Sequence, residues 1–395
     1  MGNKNHNFFY RKFHSGEKGK NSFKRGIVLT LSLALAACAL VAALVVYVDP
    51  FFHYHSPLKG FPYLIDNQLS QNPGMAAHME YDSVILGSSM TVNFQTSWFK
   101  ELMGLNTIKL SYSGAFPKDQ DNIMKIIFDG NSYAGDTPEN DYRDGHKAEK
   151  RVKKPVKKVF LGVDVITYTG GVDETKYPVP EYLYDDNYFN DIKYLLNKDV
   201  VLNYILRPMA DPDPTDLSNV YASWWTEEYY SEQWVLHNYV SPEQVAEETA
   251  PDAYLASVEK NLAVNICPYI ENNPETEFVV FFPPYSILFW NDVLRENHLE
   301  ATLAEYRYIA DRLNAYENVK LYFFPDREEI ICDLNHYADY SHYHPKYNRY
   351  MTECFASGEC LVAKEGEEGK KIEEYLLHMR KIVEEFDFVE LLSRK

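Results

Sequence analysis

Tyr81-Asp82-Ser83-Val84-Ile85-Leu86-Gly87-Ser88-Ser89-Met90-Thr91-Val92-Asn93-Phe94 is the stretch around which the chain is organised. Residues 84–86 have the length and β-branching of a buried strand. The run stops at Gly87-Ser88-Ser89, and the mixed polar and apolar residues after it are able to open a helix. A strand that turns into a helix at Gly-Ser-Ser presents a serine hydroxyl at the carboxyl end of a sheet, where open α/β proteins bind ligands. The unpaired N–H groups of a helix start lie there too, placed to stabilise developing negative charge. Gly-Ser-Ser is also a common turn sequence. Taken alone, these residues favour an ordinary strand-to-helix turn.

Similar apolar runs recur outward from this stretch. Residues 107–110 end in Ser111-Tyr112-Ser113-Gly114, and 158–166 carry Gly162-Val163-Asp164. Residues 277–282 run into Pro283-Pro284-Tyr285-Ser286, and 319–324 form the last run. Helical patterns fall at 97–103, 119–128, 252–271 and 287–316, with others starting near Pro345 and over 372–392. Five strands alternating with helices predict an α/β fold, a mainly parallel sheet of about five strands covered on both faces. The polar, lysine-rich residues 129–157 read as a surface loop. Residues 169–250 break the alternation with a long insertion carrying Tyr182, Tyr184, Tyr188, Trp224, Trp225, Tyr229, Tyr230 and Trp234. Aromatics at this density ordinarily form packing; a lid or a sugar-stacking wall is the functional alternative. No repeat of 20–50 residues is visible.

Charge divides the chain. Residues 1–26 carry a formal +6, so the rest carries −25 of the overall −19. An acidic body argues against nucleic acid as a partner, because phosphate contacts need clustered Lys and Arg. Residues 27–48 are uncharged and mostly apolar, about 33 Å of helix against a bilayer core of about 30 Å. The basic flank before them and Asp49 after them predict a single-pass signal anchor in the cell membrane, amino terminus cytoplasmic and main domain outside. A cleaved signal peptide has a shorter apolar core. Leu35-Ala36-Ala37-Cys38 resembles a lipoprotein box, but the apolar run continues ten residues past Cys38. The expected domains are a basic tail (1–26), the anchor (27–48), an aromatic juxtamembrane connector (49–76) and an extracytoplasmic domain (77–395).

Cys267, Cys332, Cys354 and Cys360 then lie where disulfides are permitted. Cys354 and Cys360 flank five residues and are able to pair; free buried thiols are an equal reading. The spacings form no zinc pattern, and no metal or cofactor is expected.

The chemistry concentrates near the carboxyl end, in Asp333-Leu334-Asn335-His336-Tyr337-Ala338-Asp339-Tyr340-Ser341-His342-Tyr343-His344-Pro345. An acid three residues before a histidine is able to bond one imidazole nitrogen and leave the other free as a base. Asp333 with His336 and Asp339 with His342 both have that spacing. A loop running into a helix at Pro345 favours Asp339 and His342. A metal held by His336, His342 and His344, or a histidine and tyrosine patch without chemistry, are the alternatives.

Taken together, these pieces resemble the SGNH (GDSL-like) hydrolase superfamily. Gly87-Ser88-Ser89 after the first strand, Gly114 after the second, Gly162-Val163-Asp164 on the third and Asp339-Tyr340-Ser341-His342 stand in that family's order over about 77–355. With its anchor, the chain looks like the membrane-anchored cell-envelope members, such as the teichoic-acid D-alanine-transfer protein and the alginate O-acetylation proteins. The resemblance implies a three-layer α/β/α fold with Ser89 as nucleophile, His342 as general base and Asp339 as the orienting acid. The backbone N–H groups of Ser89 and Gly114 would be oxyanion donors. It further implies a bacterial envelope glycopolymer as substrate and a membrane-bound O-acyltransferase as partner. Ser88 replaces the usual Asp of the first motif. Asp164 stands where the family's oxyanion Asn belongs, and an ionised carboxylate repels an oxyanion.

Two functions follow as expectations. One is a serine acyltransferase or esterase acting on acyl esters of an envelope polysaccharide or teichoic acid. The other is a catalytically weak or inactive partner that binds glycopolymer or recruits the acyltransferase.

Overall fold

Short apolar runs closed by Gly, Ser and Pro build the sheet. The computed structural model describes residues 6–129, 155–185 and 187–395. Of the surface loop expected at 129–157, all but the two ends lies outside the described residues. Five strands form, β1 (Ser83–Leu86), β2 (Thr107–Lys109), β3 (Lys158–Gly162), β4 (Glu277–Phe282) and β5 (Val319–Phe323). All pair in parallel, in the order β2-β1-β3-β4-β5. This is the α/β class expected from the alternation. Every residue of β1 is buried, and so is most of β3 and β4, as strands covered on both faces require. The strand order reverses direction between β1 and β3. A crevice opens at such a switch point, outside the carboxyl ends of the strands.

Helices α1 (His6–Val48) and α2 (Gln68–His78) precede the sheet, α3 (Thr96–Met103) follows β1 and α4 (Pro117–Asp129) follows β2. Between β3 and β4 come α5 (Ile192–Leu195), α6 (Arg207–Ala210), α7 (Glu232–Asn238), α8 (Leu255–Asn261) and α9 (Cys267–Asn272). Helices α10 (Ile287–Arg295) and α11 (Leu299–Asn314) join β4 to β5. The chain ends with α12 (Glu328–Ile331), α13 (Pro345–Ser357), α14 (Ile372–Glu385) and α15 (Phe388–Ser393). Side chains alternate across the sheet and show its two faces. Phe160, Phe281 and Tyr322 meet Phe99 of α3 or Phe355 of α13, with ring centroids 4.6–5.6 Å apart. Phe278, Phe282 and Phe323 meet Phe128 of α4 or Tyr306 of α11 from the other side, at 5.1–5.9 Å. The result is three layers, helix on sheet on helix.

Several expected elements are interrupted, each for a local reason. The helix expected at 287–316 is two, broken at Asn297, whose φ of 59° is left-handed and which is among the residues that tolerate it. The helix expected at 252–271 widens into a π-helical turn at Leu262–Ile266. There Pro268 has no N–H to return to the carbonyl four residues back, and its ring crowds that carbonyl. The strand expected at 158–166 stops at Gly162, and Val165–Thr169 is a 3-10 turn. The helix over 372–392 restarts at Phe388, where Asp387 caps it by accepting the Glu390 N–H at 2.8 Å. Within the connector, α2 forms in spite of Pro73. The Leu69 carbonyl that Pro73 leaves unpaired accepts the Tyr184 hydroxyl at 2.8 Å.

The apolar part of α1, Ser22–Val48, is long and apolar enough to cross a membrane. Its end belongs to the domain. Val45 and Val48 are buried in the common core with Phe51 and Phe52. Asp49 lies fully buried just beyond, and its carboxylate accepts the backbone N–H groups of His53, Tyr54 and His55 at 2.6–3.0 Å and the Tyr194 hydroxyl at 2.9 Å. Gly74 of α2 closes the joint, since a Cβ there would stand 2.0 Å from the Phe51 carbonyl oxygen. A leader cut away after residue 48 would take part of this core with it.

Candidate functional site

The turn after β1 is built to hold one serine out. Gly87 has φ +147°, and a Cβ on it would meet Thr91 Cγ2 at 2.6 Å, so only glycine fits. Ser88 turns inward and its hydroxyl caps the Met90 N–H at 3.2 Å. The 3-10 turn Ser89–Thr91 follows, at the place where the sequence was able to open a helix. Thr91 locks it, its hydroxyl bonding the Ser88 carbonyl at 2.8 Å and Ser111 Oγ of the loop after β2 at 2.6 Å. Lys109 of β2, buried, donates to the Val92 and Phe94 carbonyls just downstream. Ser89 itself is half-buried, and its Oγ lies 2.8 Å from Nε2 of His342.

His342 comes from the other end of the chain on a tight hairpin. Tyr337 and Tyr343 form an antiparallel bridge, and the Ala338 N–H bonds the His342 carbonyl at 2.9 Å. The Tyr343 hydroxyl and the Asn348 amide both donate to the Met90 carbonyl, at 2.7 and 3.2 Å, fastening the hairpin to the serine turn. Tyr337 bonds the Pro284 carbonyl at 2.8 Å, and Ser286 bonds the Tyr340 carbonyl, fastening it to the end of β4.

Asp339 completes the line. Its Oδ2 lies 2.7 Å from His342 Nδ1, and its Oδ1 accepts the Ser341 and His342 N–H groups at 2.8 and 2.7 Å. Burial works to raise this carboxyl. The bond and charge of His342 and the two backbone donors outweigh it and bring the pKa down to about 2. An ionised acid behind Nδ1 leaves Nε2 to accept the serine proton. His336 and His344 turn elsewhere. His336 Nδ1 bonds the Tyr347 hydroxyl at 2.6 Å, with Asp333 3.4 Å from Nε2, and His344 Nε2 pairs with Glu227 at 3.1 Å. The three histidines do not converge on one point. Among the described residues, donor atoms of Cys354, Glu359 and Cys360 lie within 4.8 Å of one another at the far end of α13. The two sulfurs there are free thiols 3.8 Å apart.

The Ser89 and Gly114 amides have no acceptor among the described residues. The Tyr112 N–H bonds the Gly87 carbonyl at 2.9 Å, tying the Gly114 loop to the serine turn. Asp164 lies buried past the end of β3, engaged by the Ser88 and Tyr285 hydroxyls. Burial pushes its carboxyl up from the usual carboxylate range, toward the neutral form. Tyr285 was missed from the sequence. Its signal was its place just past a strand's carboxyl end, in Pro283-Pro284-Tyr285-Ser286.

The insertion reaches the site through Trp225, whose ring centroid lies 5.0 Å from that of His342. Ser223 bonds Asn93 Oδ1 through both its N–H and its hydroxyl at 2.9 Å, tying the insertion to the chain after Ser89. Trp224, Tyr229 and Trp234 continue outward in ring contact, Trp224 at 71% exposure. Comparison with protein-family models, curated proteins and solved structures returns no match to the chain.

Proposed function

We propose that this chain is a membrane-anchored serine acyltransferase or esterase of the SGNH type. It acts on acyl esters of a cell-envelope polysaccharide or teichoic acid, beside a membrane-bound O-acyltransferase. The observation that carries the chemistry is the line Ser89 Oγ, His342, Asp339, with contacts of 2.8 and 2.7 Å. Ser89 Oγ attacks the acyl carbonyl carbon as His342 Nε2 takes its proton, and Asp339 stabilises the imidazolium. Negative charge on the carbonyl oxygen falls to the Ser89 and Gly114 N–H groups. The tetrahedral species expels the donor's oxygen, which leaves with the proton from His342, and the acyl group stays on Ser89. A sugar hydroxyl or water then gives its proton to His342 and attacks the acyl-serine; the carbon–Oγ bond breaks as His342 returns the proton to Ser89 Oγ, releasing the new ester or the acid. The partly exposed aromatic wall from Trp225 to Trp234 suits stacking on sugar rings, and the apolar helix supports the envelope setting.

Purified full-length protein is expected to take up a fluorophosphonate probe, one adduct per chain. Equal labelling of Ser89→Ala sinks the assignment. Asp164 favours a second reading, a binding or recruiting partner with little turnover. That reading predicts that cells carrying Ser89→Ala still modify their polymer.

A further inference from the structure

The insertion leaves an apolar face uncovered beside the exit of α1. Helix α5, the π-helical turn Val200–Leu206 and α6 follow one another, and the first two pack their inner side on α1. Tyr194 reaches Asp49 at 2.9 Å and stacks on Phe51, and the Tyr204 ring meets Phe51 edge-on at 4.9 Å. The outer side carries Phe189, Ile192, Leu196, Leu202, Leu206 and Met209, all exposed, Phe189 at 97%. Ile192 and Leu196 lie one turn apart on α5 and its cap, and Leu202, Leu206 and Met209 follow at four and three residues along the π-helical turn and α6, which keeps each set on one flank, with Phe189 in the turn just before α5. Large apolar side chains gathered on one surface mark an interaction site.

The depth of this surface identifies what meets it. The domain covers part of α1 from residue 41 onward, and Val45 is fully buried. Residues 41–48 rise about 10 Å, the last third of an apolar run whose length of about 33 Å matches a hydrocarbon core of about 30 Å. Elements that clasp this part of the helix reach the headgroups and upper acyl chains of the leaflet on the domain's side. Leu40, Val46 and Tyr47 of α1 are exposed at the same level, so the uncovered face continues a surface that already meets lipid.

We propose that residues 189–210 form a second, in-plane membrane contact. Their apolar face lies in the acyl-chain boundary of that leaflet, and exposed Lys193, Lys198 and Arg207 meet headgroup phosphates. The proposal rests on reading Ser22–Val48 as a membrane span. A span alone would leave the domain free to swivel; two contacts, joined by the Asp49 network, hold it and its serine in one orientation to the bilayer.

The test uses the full-length chain in nanodiscs of phosphatidylcholine and phosphatidylglycerol. In a Cys38→Ser, Cys332→Ser background that leaves only buried native thiols, single nitroxides are placed at Leu202→Cys and Leu206→Cys, with Leu35→Cys in the span and Glu248→Cys on an exposed loop as references. A far-ultraviolet circular dichroism spectrum and thermal transition matching the unlabelled parent check that each variant is folded. At 202 and 206, collision with oxygen is expected to exceed collision with a water-soluble nickel chelate several-fold, as at 35 and opposite to 248. If 202 and 206 behave as 248 while 35 stays in lipid, the inference fails and the span stands. If 35 also behaves as 248, the span reading fails as well. Labels at 202 and 206 shielded from both quenchers mean that a second copy covers the face, which overturns the lipid assignment.

Discussion

Asp333 stands three residues before His336, and Asp339 three residues before His342, yet only one pair reaches a serine. In the pair that meets Ser89, backbone N–H groups hold one oxygen of Asp339, the other meets Nδ1, and Nε2 is left for Ser89. In the other, Tyr347 occupies Nδ1 while Asp333 stands near Nε2, and burial pushes the imidazole below its ordinary range. The spacing makes an acid–base pair in both cases. Which nitrogen stays free, and what it faces, is decided by the hairpin from Tyr337 to Tyr343 and its ties to the serine turn.

The sharpest way to break this contrast is to remove each base. His342→Ala is expected to lower the second-order rate of fluorophosphonate labelling by up to about 10⁶-fold. His336→Ala should change it less than about threefold, because that ring touches no reacting atom. Comparable losses in both variants would show that the second pair also serves the chemistry.

Next in size is the orienting acid. Asp339→Asn keeps the shape but loses the charge that selects the tautomer, and is expected to cost about 10⁴-fold in labelling rate. Asp333→Asn should be nearly silent. Since Asp339 stays ionised down to about pH 2, its protonation does not limit the rate at milder acidity.

Much of this was legible in the sequence. The strands declared themselves because each is a short, mostly buried run closed by glycine, serine or proline. The line Ser89, His342, Asp339 was legible as an arrangement because Ser89 follows a strand end and the other two share one short loop, where sequence order maps simply onto space. The rest depended on contacts between residues far apart in the chain. Pro73 reads as a helix breaker until Tyr184, over a hundred residues later, takes up the stranded carbonyl. Asp164 reads as an anomaly until Tyr285 and Ser88 are seen to enclose it. Trp225 is one of many aromatics in the insertion, and only the tie between Ser223 and Asn93 brings it beside His342.

Asp164 offers the third test, and the only one expected to raise activity. Its carboxyl is neutral below its raised pKa and anionic above it. Labelling by the wild type should therefore fall as pH rises through that pKa, where the new charge opposes the oxyanion. Asp164→Asn supplies a permanent neutral group, so the alkaline loss should vanish and the rate there rise about 10- to 100-fold, worth about 1.4–2.7 kcal/mol. Stability follows the same sign. The folded state holds the Asp164 proton more tightly than the unfolded chain, so stability is lost as pH rises toward the folded pKa, and Asp164→Asn should remove that slope. An unchanged alkaline limb in the variant would assign it to another group.

The smallest effect concerns the wall rather than the base. Trp225 lies beside His342 with its ring tilted 49° to the imidazole, and it leads through exposed Trp224 and half-buried Tyr229 to exposed Trp234, whereas among the described residues His336 has only Tyr347 for a ring neighbour. If the wall receives a sugar chain, Trp225→Ala should weaken polymer binding about tenfold, near 1.4 kcal/mol, a typical loss for one aromatic contact. Its labelling by a small probe, which has no ring to stack, should drop less than threefold. Polymer affinity measured by calorimetry and labelling rate measured on the same protein separate the two roles. Equal losses in both would mean that Trp225 only holds the imidazole in place, and the contrast between the two histidines would then extend to their aromatic neighbours as well.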